Sequence, residues 1–295
     1  MVITVASGKG GTGKTTVATS LAGSIAGASP VVLDCDVEAP NAHLYLKPRI
    51  EDRSEVTLPV PSVDESLCTY CGRCAEVCQF NAIVVFSDKV MLFPELCHGC
   101  GSCTHQCPEG AISETERSIG WLESGENHVG VRVEYGILNV GEPMAVPVIR
   151  ALKSWYETPS AVPVIRDAPP GTSCPVVETM RGSDYVLLVT EPTPFGLHDL
   201  KLAVDLTRTL GIPAGVVVNR DGVGDQGVDC FCRDEDLPIL MRIPLDERIG
   251  QALSQGELLI EAFPEYKPHF QELFSKICAF VDRKVREESN VMVGL

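Results

Sequence analysis

The stretch Val2-Ile3-Thr4-Val5-Ala6-Ser7-Gly8-Lys9-Gly10-Gly11-Thr12-Gly13-Lys14-Thr15-Thr16 decides the fold. Its β-branched start, Val2 to Ala6, has the length and composition of a buried strand. Glycines follow, and then a segment from Thr15 to Ile25 that reads as a helix. Glycine-rich turns join many strands to helices. This one also satisfies G-x-x-x-x-G-K-[ST] in the strand–helix setting that the motif requires. Such glycines free backbone N–H groups for phosphate oxygens, and the helix N-terminus adds the positive end of its dipole. Residues Gly8, Lys9, Gly10, Gly11, Thr12, Gly13, Lys14, Thr15 and Thr16 are therefore the candidate phosphate site. Lys14 is expected on the β- and γ-phosphates and the Thr15 hydroxyl on Mg2+.

Working outward, further apolar runs end in polar residues. Val31-Val32-Leu33 leads to Asp34-Cys35-Asp36-Val37-Glu38-Ala39-Pro40-Asn41, and Val162 to Arg166 leads to Asp167-Ala168-Pro169-Pro170-Gly171-Thr172. Tyr185 to Thr190 precedes a helix expected from about Gly196 to Leu210. Ala214 to Val218 ends at Asn219-Arg220. Buried strands alternating with helices predict an α/β fold with a doubly wound, mostly parallel sheet. At 295 residues the chain can bury one such core plus a small module.

The module is marked by cysteine. Eight of the 13 cysteines fall in two copies of one spacing, Cys68-x2-Cys71-x2-Cys74-x3-Cys78 and Cys97-x2-Cys100-x2-Cys103-x3-Cys107-Pro108. Short spacings let three thiolates of each copy wrap one iron–sulfur cube, while the fourth reaches the neighbouring cube. That rule assigns Cys68, Cys71, Cys74 and Cys107 to one [4Fe-4S] cluster and Cys97, Cys100, Cys103 and Cys78 to a second. Paired cysteines also serve all-thiolate zinc sites, although those usually separate their pairs by a longer loop. Dense disulfides belong to small secreted domains. With no secretory leader pattern ahead of the P-loop, a reducing cytoplasmic location is expected instead.

Residues from about Pro61 to Ser113 resemble a bacterial two-cluster ferredoxin. The internal repeat of Cys71-Gly72-Arg73-Cys74 and Cys100-Gly101-Ser102-Cys103 carries the likeness, as do Phe80-Asn81-Ala82-Ile83 and Glu109-Gly110-Ala111-Ile112. The first motif departs from the pattern by ending Cys78-Gln79 without proline. The rest of the chain resembles the deviant Walker A ATPases of the MinD, ParA, Mrp and nitrogenase iron-protein superfamily, through Lys9-Gly10-Gly11-Thr12-Gly13-Lys14-Thr15. That resemblance implies ATP/ADP binding and ATP hydrolysis in a dimer, homomeric or formed with a related chain, with Lys9 crossing to the partner's nucleotide. It further implies that Asp36 in switch I orients the attacking water and that Asp36 and Asp167, the latter in switch II, hold Mg2+ directly or through water. The Gly171 amide would sense the γ-phosphate, and Asn219, beside Arg220, would read the adenine edge. The expected organisation is an ATPase first part at 1–60, an inserted ferredoxin at 61–113 and an ATPase second part at 114–295. Leu58-Pro59-Val60-Pro61 and the Gly120–Gly130 region are read as its connections, with Val129 to Val133 in a returning hairpin.

Net charge is −16, which disfavours nucleic acid, a partner that needs basic surfaces. No apolar stretch approaches a membrane span. The helical spacing of Phe270, Leu273, Phe274, Ile277, Val281 and Val285 carries mixed charges, so packing on the domain is expected rather than membrane insertion. Outside the module, Cys35, Cys174, Cys230, Cys232 and Cys278 read as ordinary thiols, although Cys174 lies just past switch II. His98 and His105 lie between cluster cysteines. The expected activity is ATP-gated electron transfer to, or metallocluster assembly on, a redox or metallocluster partner protein. The alternative is a redox-sensing ATPase switch that recruits a partner without delivering electrons.

Overall fold

The computed structural model describes residues 1–155 and 162–293, with side chains described as far as residue 284. In chain order the strands are β1 (Val2–Ala6), β2 (Val31–Asp34), β3 (Arg49–Val63), β4 (Ile83–Val85), β5 (Val90–Leu92), β6 (Ile112–Glu126), β7 (Arg132–Leu138), β8 (Val164–Asp167), β9 (Tyr185–Thr190), β10 (Ala214–Asp221) and β11 (Ile239–Pro244). The helices are α1 (Lys14–Ser24), α2 (Ala42–Leu46), α3 (Arg73–Val77), α4 (Ser102–Gln106), α5 (Ala145–Trp155), α6 (Cys174–Met180), α7 (Pro194–Thr209), α8 (Gly227–Asp234), α9 (Glu247–Ser254), α10 (Leu259–Ala262) and α11 (Tyr266–Val293).

Nine strands form one sheet in the order β11-β10-β9-β1-β8-β2-β7-β6-β3. The strands from β11 to β7 pair in parallel. β6 and β3 add an antiparallel edge. Residues of β2, β8 and β9 are buried throughout, as parallel strands covered on both faces must be. One layer of core joins β1 and β7 residues to α1, α10 and α11 through Val17, Leu21, Phe270 and Ile277, and the opposite face packs on α5, α6 and α7. Phe270, Leu273 and Ile277 are buried, with Phe274 and Val281 partly so, which fulfils the expectation that this helix docks on the domain. Val285 lies beyond the described side chains.

The segments read as connections are strand instead. β3 and β6 pair from Arg49↔Glu126 to Val63↔Ile112, with register shifts between Ile50 and Asp52 and between Val56 and Thr57. Pro59 and Pro61 are tolerated because β3 is the last strand of the sheet, where alternate N–H groups have no partner to lose. Gly120 and Gly125 are not turn residues. A Cβ on Gly120 would lie 2.5 Å from the Ile137 carbonyl oxygen, and one on Gly125 2.1 Å from that of Arg49. Close backbone approach explains both. The turn itself is confined to residues 127–131, where Asn127 Oδ1 accepts from Val129 N and Val131 N, and β7 then returns the chain beside β2 as expected.

Pairing of β6 with β7 stops at Gly120↔Leu138, close to where β2 ends at Asp34. Residues 112–119 therefore continue, with β3, as a two-stranded ribbon past the carboxyl edge of the parallel sheet. Segment 64–111 sits on the end of that ribbon. It holds the β4–β5 hairpin and the short helices α3 and α4 around a small core of Cys74, Ile83, Val90 and Ile112.

Candidate functional site

Strand order brings the polar strand ends together. β1 lies between β8 and β9, and β2 is the next strand beyond β8. Register sets Val5 and Asp34 each beside Asp167. The loop after β1, the Asp34–Asn41 loop and the Asp167–Thr172 loop thus share one edge, which is where open α/β sheets bind ligands. Gly11 and Gly13 adopt φ of 77° and 94°. A side chain on Gly13 would also strike Asn219 Nδ2 at 2.4 Å, so the tight turn into α1 requires glycine. Gly8 is needed for another reason: its Cβ would meet the Asp199 carbonyl oxygen of α7 at 2.2 Å.

A cavity of about 530 Å³ opens there, lined by Gly10, Gly11, Gly13, Lys14, Thr15, Thr16, Asp36, Asn219 and Arg220 from the sequence reading. It is in the size range of small-molecule sites. The Thr15 hydroxyl donates to Asp167 Oδ2 at 2.5 Å, and Lys14 Nζ reaches the Lys9 carbonyl at 3.4 Å. Asp167 is buried and its Oδ1 has no hydrogen-bond partner. Burial pushes Asp167 well above the usual carboxylate range and also raises Asp36. Burial pulls Lys14 below the usual lysine value, although Asp167, Asp36 and Asp34 oppose it. Three clustered carboxylates against one lysine leave a deficit of positive charge. A magnesium ion beside Thr15 and the orphaned Asp167 oxygen fits that deficit.

Several of the predicted residues are engaged within the chain itself. Lys9 Nζ is 3.1 Å from Glu191 Oε2 of its own chain, and Arg220 Nη1 is 2.6 Å from Glu191 Oε1. The Gly171 N–H donates to the Ser7 carbonyl at 3.1 Å, so it is engaged with the P-loop backbone. Asn219 Nδ2 donates to the Thr12 carbonyl at 2.8 Å, bracing the loop. Thr12 Oγ1 is buried without a partner.

The sequence reading missed Asp34, Glu191 and the far wall of the cavity. Asp34 is fully buried, and its carboxylate accepts from Asp36 N, Asn41 N and Ala42 N at 3.1, 2.8 and 2.9 Å. It shapes the loop that holds Asp36. Burial raises its pKa to about 6. Tyr45, Leu245, Asp246 and Ile249 close the opposite end of the cavity. Leu245-Asp246-Glu247 carried a usable signal, because Asp246 caps α9 by accepting from Arg248 N at 2.9 Å.

In segment 64–111 the eight motif cysteines divide between two cavities. Cys68, Cys71, Cys74 and Cys107 line one, and Cys78, Cys97, Cys100 and Cys103 line the other. All the cysteines are free thiols. Backbone N–H groups of Tyr70, Ala82 and Ala111 donate to Cys68, Cys78 and Cys107 sulfurs at 3.4, 3.3 and 3.3 Å. Among the described residues no three His, Cys, Asp or Glu side chains converge on the position of a single ion. A cubane presents a separate iron to each thiolate, so its ligands ring a space rather than meet at a point. Four thiols around each cavity supply the donor chemistry and count that such a group requires. His98 stacks on Phe80 with ring centroids 3.7 Å apart. Cys174 and Cys230 are exposed, Cys35 and Cys232 are buried, and Cys278 is half-buried.

A family model described as CobQ/CobB/MinD/ParA nucleotide binding domain matches residues 3–260. Uncharacterized protein MJ0579 of Methanocaldococcus jannaschii is 31% identical over 277 residues, covering 92% of this chain and 96% of that protein. Cytosolic Fe-S cluster assembly factor NBP35 of Eremothecium gossypii is 26% identical over 187 residues, 53% of this chain and 56% of that protein. Among solved structures, the septum site-determining protein MinD of Pyrococcus horikoshii, complexed with Mg-ADP, superimposes with a TM-score of 0.54 at 19% identity. That superposition covers 94% of this chain and 95% of the MinD chain.

Proposed function

This chain belongs to the CobQ/CobB/MinD/ParA nucleotide-binding family as a P-loop ATPase of the MinD/ParA type, and on that premise we propose that it couples ATP-driven dimer closure to electron transfer, or to metallocluster assembly, on a partner protein. The observation that carries the reading is the pair of cavities, each ringed by one of the two cysteine sets that the motif rule assigns. They stand on a ribbon that leaves the sheet at the nucleotide edge. The partial likeness to a protein named as an Fe-S cluster assembly factor points the same way.

In this reading segment 64–111 is a ferredoxin module, with boundaries set by the ribbon pair Val63↔Ile112 rather than by residues 61 and 113. When bound, a [4Fe-4S] cluster supplies one-electron redox chemistry. The chain's own residues do the rest. Lys14 neutralises phosphate charge, and Thr15 with Asp167 holds Mg2+. Asp36 orients the attacking water, its loop fixed by the three N–H groups on Asp34. Lys9 leaves Glu191 to reach the partner's nucleotide in a homodimer or a heterodimer with a related chain. Arg220 stays on Glu191, so the buried carboxylate keeps a counter-ion when Lys9 departs. Gly171 trades the Ser7 carbonyl for a γ-phosphate oxygen, which gives the switch two states.

The test is stopped-flow oxidation of anoxically prepared, reduced protein by a low-potential one-electron acceptor protein, with ATP and with ADP. Faster oxidation with ATP, lost in Lys14→Ala, is expected. Full iron and sulfide with nucleotide-independent oxidation would reject ATP gating, and full iron and sulfide with no oxidation by the acceptor would favour the redox-sensing switch. Absence of inorganic sulfide would reject the cluster module itself.

A further inference from the structure

β7 ends between the loop that carries Asp36 and the root of the ribbon. Its pairing with β2 stops at Asp34↔Tyr135, yet the Leu138 N–H goes on to donate to the Val37 carbonyl of the Asp34–Asn41 loop at 2.8 Å. The next amide, Asn139 N–H, donates at 3.0 Å to the carbonyl of Ile119, where the ribbon leaves the sheet. Successive amides of an extended chain point to opposite edges. Two neighbouring residues thus hold the nucleotide loop on one side and the ribbon on the other.

Packing leaves no slack across that strand end. A Cβ on Gly136 would lie 2.7 Å from Val37 Cγ1 and 2.9 Å from Val148 Cγ1, and one on Gly120 would lie 3.1 Å from Val148 Cγ2. Val148 of α5 is fully buried, so one side chain bears on β7 beside Val37 and on the ribbon root together. Close-packed interiors pass displacement on rather than absorb it. The turn after β7 also grips the ribbon through side chains. Asn139 Nδ2 donates to the Ser118 hydroxyl at 3.3 Å, and Arg117 Nη1 donates to Glu142 Oε2 at 2.5 Å. Only 3% of the Glu142 side chain is exposed, and a carboxylate held out of water needs a fixed partner. Away from β7, by contrast, the loop has room. A cavity of about 340 Å³ lies between residues 35–39 and Pro169, Pro170 and Pro175.

We propose that the end of β7 is a joint through which the nucleotide loop sets the angle of the ribbon, and so of segment 64–111. When the Asp34–Asn41 loop shifts about a γ-phosphate, Val37 carries Leu138 to Glu142 with it, and these carry residues 113–119. Arg117, Asn139 and Glu142 are the positioning residues of the joint. This rests on the two-state switch of the proposed function. The tied side of the loop supplies transmission, and the open side supplies travel.

Hydrogen–deuterium exchange of the full, anoxically prepared chain tests this, with ADP and with a non-hydrolysable ATP analogue. In the natural sequence, exchange should differ between the two nucleotides at residues 36–39 and also at residues 113–119. Asn139→Ala combined with Glu142→Ala removes both side-chain grips. It should keep the difference at 36–39 while cutting that at 113–119 to less than half. Asn139→Ala alone leaves the buried ion pair in place, and should give a smaller loss in the same direction if the double variant does not fold. A ribbon indifferent to nucleotide while residues 36–39 respond would overturn the joint and leave the ATPase switch standing. A full ribbon response in the variants would also overturn it, by tracing the response to contact between subunits. Residues 36–39 that ignore the nucleotide would remove both.

Discussion

Glu191 and Asp34 show how much of this site lies in residues without a motif. Each is an acid at a strand end, and in a sequence that position most often signals a turn or cap. The P-loop was legible because its spacing is dictated by phosphate geometry. Glu191 was not, because its role depends on Lys9 and Arg220 arriving from distant loops. Asp34 makes a measurable prediction. Its folded pKa of about 6 lies above the ordinary 3.8, so between those values the folded state holds a proton that the unfolded state has lost. Stability of the nucleotide-free protein therefore falls as pH rises through that window. Denaturant midpoints of the natural sequence, taken against Asp34→Asn from pH 4 to 7, should show the difference moving against the natural sequence as pH rises. A pH-independent difference would reject the assignment.

Elements were read with uneven success, for physical reasons. Buried parallel strands such as Tyr185–Thr190 announce themselves as unbroken apolar runs, and α11 through its helical spacing. The ribbon was misread as two linkers because proline and glycine usually punctuate loops. Here the edge position of β3 excuses the prolines, and close backbone approach demands Gly120 and Gly125. Local sequence does not record which strand will be outermost. α11 is secured by Phe270, Leu273 and Ile277 against the face that supports α1. Truncating Ile277 to alanine should cost about 2–5 kcal/mol in chemical denaturation. Substituting exposed Glu272, which pairs with Lys276, should stay within about 0.5 kcal/mol. Equal effects would mean that the helix does not dock as described.

At the scale of the molecule, entry to and exit from segment 64–111 are neighbours across one strand pair, Val63↔Ile112. Joining those residues by a two-residue Asn-Gly turn replaces the segment by a hairpin that suits antiparallel strands. The shortened chain is expected to remain folded, bind ATP and hydrolyse it while holding no iron. Loss of nucleotide binding would show that the segment is structural for the ATPase core. The main apolar core contains no residue of segment 64–111, which supports the first outcome.

An unpaired outermost strand is a standing invitation for another chain to extend the sheet, and the prolines of β3 refuse it. Pro59 and Pro61 remove two donors from that border, and Arg49, Glu51, Asp52 and Arg53 surround its other end with exposed charge. Self-association by strand addition is thereby discouraged along the side that carries the cysteine-rich lobe, so molecules are spared from zipping into fibres there.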